Sequence, residues 1–414
     1  PLAALLAEAA IDAGRLDEGQ RLIEVGRAAG GSAGRRAQLS YLEGRRLEAA
    51  GDNAGALAAY ATAAQLDPGR ARAQSDLAGT LLQLRQQRIA PVEAVAKLDG
   101  LRYAWRGDAV EFEVLRHLGR LQIETGDYAA GLRTLKRAIG DHADLPGAAE
   151  ATRQMAAAFE QLYLADGADR LPPVTALALW EEFQELTPPG EKGRLMTRRL
   201  ADRLVAADLL DRAAALEEGL LPGAGASERA ALGARMAEIR VLDGKPDAAL
   251  SALRQTAATA LPPDLQRRRG LSEAQALLLL GRQDEALAAV ERDASLDAEL
   301  LRSRVYRSRN DWPRAAATLR RIVEASRADE EPLDERRARD ILDLAVALTL
   351  AGDAGQLAQI DSSYQAAMAA TPLKDAFRLI AGTGPPPDAN AAALAELVQR
   401  ATAFRRSLEP TAGQ

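Results

Sequence analysis

A recurring unit runs through this chain: an apolar stretch of helix length, a Gly-led turn, then Ala, a large apolar residue and Ala at fixed offsets. Its clearest copy runs through Leu42 and Gly44 to Gly51-Asp52, then Ala56, Tyr60, Ala63 and Pro68. This reads as helix, tight turn, helix, stop. One such hairpin cannot bury a core alone, so copies must stack on one another. Further copies centre on Gly126-Asp127, Gly244-Lys245, Gly281-Arg282 and Asn310-Asp311, with weaker ones at Gly14-Arg15 and Gly352-Asp353. Gly14 and Gly51 are 37 residues apart, as are Gly244 and Gly281, whereas 75 residues separate Gly51 from Gly126. That wider gap leaves room for one degenerate unit.

With Gly51 set as position 15, Gly44 falls at 8, Ala56 at 20, Tyr60 at 24, Ala63 at 27 and Pro68 at 32. The copy around Gly126 carries Leu115, Leu118, Gly119, Gly131, Leu135 and Ala138, with Ala143 where the terminal Pro would stand. A Gly after the first helix adopts the left-handed conformation without side-chain cost, and an Asp after it can accept from free N–H groups of the next helix. Small residues at 8, 20 and 27 let the two helices approach closely. These residues resemble the tetratricopeptide-repeat family, whose helical hairpins of about 34 residues form scaffolds for other proteins. The resemblance implies an all-α, right-handed superhelical solenoid. The Ala-, Leu- and Arg-rich look is also similar to degenerate repeat regions of large envelope-associated proteins of alphaproteobacteria.

Composition points the same way. Hydrophobic residues make up 47% of the 414 residues but aromatics only 4%, and strand-like β-branched runs are missing. Net charge is −6 with charged residues at 27%, so no basic excess marks a nucleic-acid footprint, and no nucleic-acid partner is expected. The greasiest segment, Ala274 to Leu280, is far too short to cross a membrane, so no direct membrane insertion is expected. Cysteine is absent, which removes disulfides and thiolate chemistry. A cysteine-free chain suits an oxidising compartment, so a periplasmic or envelope-associated location is expected, with the cytoplasm as the alternative. The chain opens at Pro1 within a helical segment, and is read as part of a longer protein.

Repeat quality divides the chain into N-terminal repeats over 1–146, degenerate hairpins over 147–227, C-terminal repeats over 228–381 and a capping helix over 388–409. Within 147–227, Leu200 and Leu204 lead through Asp208 into Ala213 to Leu220 as one degenerate hairpin. Asp329-Glu330-Glu331-Pro332 reads as a solvated loop. In the last segment Leu394, Leu397, Val398, Ala401, Phe404 and Leu408 share one helical face, which would close the stack.

Catalytic constellations fail on context. Gly30-Gly31-Ser32-Ala33-Gly34 matches a nucleophile-elbow pattern, but it lies between helices rather than after a strand. His117 and His142 have no partners at metal-ligand spacing and read as surface or packing residues. Gly223-Ala224-Gly225 and Gly382-Thr383-Gly384 lack the strand and third Gly of a dinucleotide loop. Glu181, Glu182 and Glu185, near Trp180, read as a like-charged exposed face of one helix. No catalytic residue, cofactor or metal is expected.

The family resemblance implies that first-helix positions 2, 5, 9, 12 and 13 line a concave, partner-binding surface. Position 9 is Arg45, Arg120 and Arg304 in three copies, Gln275 in a fourth and Glu238 in a fifth; position 5 supplies Tyr41 and Arg116, and position 12 supplies Arg307. Arginines there can grip carboxylates of an acidic protein or peptide in a forked geometry. The alternative is pairing with acidic residues of the adjacent repeat, such as Glu48, Glu113 or Glu124. The expected function is a non-enzymatic interaction scaffold in an envelope-associated assembly. The other readings are an assembly or bridging factor of a polysaccharide export system and, remotely, a hydrolase. The low aromatic content weighs against direct sugar stacking.

Overall fold

A computed structural model describes residues 2–165, 167–326 and 333–382. The expected capping helix and the Asp329 to Pro332 loop lie outside these residues. Among them are 21 α-helices and no strand, so the chain is all-α. It divides into two compact units, one ending at Arg203 and the other beginning at Leu204. This division follows compactness, whereas the sequence segments followed repeat quality.

The first unit contains α1 (Leu2–Asp12), α2 (Leu16–Ala28), α3 (Ala33–Ala49), α4 (Asn53–Leu66), α5 (Arg70–Arg85), α6 (Pro91–Ala104), α7 (Ala109–Glu124), α8 (Tyr128–Asp141), α9 (Ala148–Leu164) and α10 (Pro173–Glu182). Helix α11 (Glu191–Ala206) runs across the point of division. The second unit continues with α12 (Leu210–Gly219), α13 (Ala226–Leu242), α14 (Pro246–Gln255), α15 (Pro263–Leu279), α16 (Gln283–Ala289), α17 (Leu296–Ser308), α18 (Trp312–Ala325), α19 (Glu335–Ala351), α20 (Ala354–Ala369) and α21 (Lys374–Ala381). Pairs such as α3 with α4, α7 with α8 and α17 with α18 form hairpins. First helices of successive hairpins also touch: α1 with α3, α3 with α5, α13 with α15, α15 with α17. Tetratricopeptide-like hairpins stacked side by side are thus the architecture within each unit.

The turns form as their residues dictate. Gly51 (φ +83°) and Gly126 (φ +91°) end their first helices in the left-handed region, which favours glycine. The Asp that follows caps the second helix: Asp52 accepts from the Gly55 N–H at 2.9 Å, and Asp127 from the Ala130 N–H at 3.0 Å. Asp311 and Asp353 do the same for α18 and α20, while Arg15, Lys245 and Arg282 at this place give no side-chain cap. Among the described residues three turns are made by a non-glycine residue in the left-handed region: Gln87 (φ +55°), Asp208 (φ +59°) and Asn310 (φ +58°). The Gln87 turn joins α5 to α6, the degenerate unit for which the spacing left room.

Close packing explains the small residues. A Cβ on Gly44 would collide with the Tyr60 ring, and one on Gly119 would lie 2.8 Å from Leu135 Cγ. Ala56, Ala63 and Ala138 are fully buried. The 147–227 segment builds its core differently, from aromatic rings. Tyr163 and Phe159 of α9 contact each other and Trp180 of α10 edge to face or tilted, at 4.9 to 5.6 Å between centroids. The three glutamates near Trp180 do not share a helix, because α10 stops at Glu182 and Glu185 sits on a 3₁₀ turn. Nor do they form a like-charged face: Glu182 pairs with Arg133 at 2.6 Å and Glu185 with Lys136 at 2.8 Å.

Candidate partner-binding groove

Positions 2, 5, 9 and 12 of a helix fall within an arc of about 80°. Parallel first helices therefore bring these positions together on one side. In the second unit they surround a concavity of about 600 Å³. Glu238 of α13, Arg268, Leu271, Gln275 and Leu278 of α15, and Leu300 and Arg304 of α17 line it. The volume lies in the range of ordinary ligand sites. Aliphatic side chains form its floor and charged ones its rim.

Most of those charges satisfy one another. Arg268 forks onto Glu238 across the α13–α15 boundary, with Nη2 at 2.6 Å from Oε2, and Arg267 pairs with Asp264 one turn away. Arg304 is exposed and has no ion-pair or hydrogen-bond partner among the described residues. Beneath this surface Arg269, third in a run of three arginines, turns inward. Its guanidinium donates to the Ala230 carbonyl at 2.6 Å, the Leu253 carbonyl at 2.5 Å and the Thr256 hydroxyl at 3.1 Å. It joins α15 to α13 and satisfies a carbonyl in the last turn of α14. Burial lowers its pKa from the usual arginine value.

The other arginines marked by sequence are engaged. Arg45 reaches from α3 to α1, 2.6 Å from Asp12 and 3.5 Å from Glu8. Arg307 bridges α17 to α19 through Asp343 at 2.7 Å. Arg116 and Arg120 pair within α7, with Glu113 at 2.6 Å and Glu124 at 3.0 Å, rather than with an adjacent repeat. Glu48 is taken by Arg85 of the next hairpin and by the Tyr60 hydroxyl, which donates at 2.8 Å. Tyr41 leans on Tyr60 with ring centroids 6.0 Å apart, and burial raises the pKa of its phenol.

His117 sits between Arg116 and Arg120. Burial first, then Arg116, Arg120 and Arg85, push its pKa down to about 4. Glu113 Oε2 lies 3.5 Å away but is already held by Arg116. The Gly30 to Gly34 stretch is a loop running into α3, where Ser32 caps the helix by accepting from the Arg35 N–H at 3.3 Å. Sequence reasoning passed over Arg268, Leu271, Leu278 and Leu300 because it followed charges at position 9; the same numbering applied to α15 and α17 marks all four. Arg269 carries no such signal, since three consecutive arginines read alike until the helix is rotated into place.

No protein-family model matches the chain, and no curated protein matches its sequence. Among solved structures it is similar to the TPR domain of P58(IPK), at 14% identity over 90% of this chain and 99% of that one, TM-score 0.26. It is also similar to Naa15 in the Naa15/Naa10 complex bound to HypK-THB, at 12% identity over 97% of this chain and 79% of that one, TM-score 0.31. The architecture described above rests on this chain's own helices and turns.

Proposed function

We propose that this protein is a non-enzymatic scaffold that holds an acidic protein or peptide segment in the groove formed by α13, α15 and α17. The observation that carries this reading is Arg304: an exposed guanidinium on the rim of an aliphatic concavity whose neighbouring arginines are all neutralised. An incoming carboxylate would find a ready fork there. Gln275 beside it adds donors for a peptide backbone or side chain. A periplasmic or envelope-associated setting belongs to the same proposal and is supported by the cysteine-free composition.

Selection of peptides from a random displayed library against the full chain tests it. Enriched peptides should carry Asp or Glu beside an apolar residue. Arg304→Ala should weaken them roughly ten- to a hundredfold, the worth of one charge-assisted contact of about 1.5 to 3 kcal/mol. Arg45→Ala should leave that binding unchanged and lower the melting temperature, because Arg45 ties α3 to α1. Enrichment without acidic residues, or peptides indifferent to Arg304, would reject the proposal.

A further inference from the structure

The degenerate unit α5–α6 leaves a second cavity. A cleft of about 640 Å³ opens between α4 and α6 and is floored by α5. The α5 residues that face it include Arg72, Ser75, Asp76 and Gly79. With Gln87 as the turn residue at position 15, these are positions 0, 3, 4 and 7, about 160° around the helix from positions 2, 5, 9 and 12. The cleft is therefore separate from any groove lined by first helices.

Two glycines keep it open, and neither is required by packing. Gly79 lies mid-helix, where Gly is less favourable than Ala. A Cβ there would meet only Tyr60, at 3.9 Å, and one on Gly100 would meet nothing within 4 Å. Gly44 and Gly119, by contrast, are pressed against their partner helices. On the floor Ser75 is 1% exposed and its hydroxyl has no hydrogen-bond partner among the described residues. A buried hydroxyl left unpaired is unfavourable in the empty fold. The walls are apolar, from Leu57, the Tyr60 ring and Leu101. The mouth carries two cations and one carboxylate. Arg72 stands 3.6 Å from Asp76, and among the described residues the Lys97 ammonium donates only to the neutral Gln83 oxygen, at 2.8 Å.

We propose that this cleft is a binding site for a short apolar chain ending in a carboxylate, the chain lying over Gly79 and the carboxylate meeting Lys97. A fatty acid and the C-terminal residue of a peptide share that chemistry. The mouth holds one cation more than it has anions, which suits an anionic head group. Partial burial raises the Asp76 carboxyl from its ordinary value against the pull of Arg72 and Lys97.

Calorimetric titration of the full chain tests this with four probes: decanoate, decanol, N-acetyl-leucyl-leucine and its C-terminal amide. Saturable binding of decanoate alone assigns a fatty acid, and of the acyl dipeptide alone a peptide terminus; binding of both supports the shared chemistry. In each case the neutral counterpart should bind at least tenfold more weakly, and Lys97→Met should weaken the acid about tenfold. Gly79→Leu should abolish binding without lowering the melting temperature; should it unfold the chain, Gly100→Leu, whose side chain enters open space, decides instead. Arg304→Ala should have no effect, which keeps this outcome apart from that of the groove. No saturable binding of either acid, equal binding of acid and neutral forms, or binding that survives both filled variants would overturn the proposal.

Discussion

A single side chain in this fold is defined by what its helix carries it against. His117 is the case with a measurable consequence. Folding holds it neutral, with a pKa near 4 against an ordinary 6.5, because burial and three arginines oppose the charge. A depressed histidine leaves stability intact above the unfolded value and withdraws it as pH falls from 6.5 through 4, where the unfolded chain binds the extra proton. The span corresponds to about 3 kcal/mol at its acid end. Denaturant melts of His117→Gln should therefore lose less stability than wild type between pH 6.5 and 4. An unchanged pH slope would show that other groups govern that window. The arginines teach the same point: position 9 makes Arg45 a tie between helices, Arg120 an intrahelical partner and Arg304 a free guanidinium, according to what stands opposite.

At the scale of the element, the hairpin turn is where local chemistry decides most. Asp52, Asp127 and Arg282 occupy N-caps of nearly equal backbone geometry, with φ between −80° and −85° and ψ between +63° and +78°. Only the aspartates accept from the following helix. Arg282→Asp should thus install a missing cap on α16 and raise stability by up to about 1 kcal/mol, offset by loss of the exposed Arg282–Glu285 pair, which is worth little. Asp52→Ala should lower it by about the same amount. Thermal melts of the two variants moving in the same direction would break this account. The α5–α6 hairpin shows the reverse case, a turn made by Gln87 that no glycine announces.

At the scale of the molecule, contacts between neighbouring hairpins carry the stability, and the chain forms two compact units. Leu118 is fully buried in the cluster that joins α5, α6 and α7. Leu118→Ala should cost roughly 2 to 5 kcal/mol locally. Hydrogen exchange should then accelerate in α5 to α8 while α17 to α20 keep their protection. Uniform acceleration along the whole chain would mean that the units unfold as one.

The all-α class, the hairpin turns and the small residues at helix seams are legible in the residues alone, because each depends on a few neighbours: a left-handed Gly51, a capping Asp52, an Ala56 with no room to grow. The sequence also numbered the helix faces well enough to point at Gln275 and Arg304. Which charges are paired and where space remains are set by packing between helices distant in sequence. Arg307 meets Asp343 from 36 residues away, and Arg269 turns inward while Arg267 and Arg268 do not. The Gly79 cleft exists because α4 and α6 stand apart over α5. Pairing and vacancy are properties of surfaces brought together by stacking, and a helical repeat fixes the face of a residue long before it fixes what that face will meet.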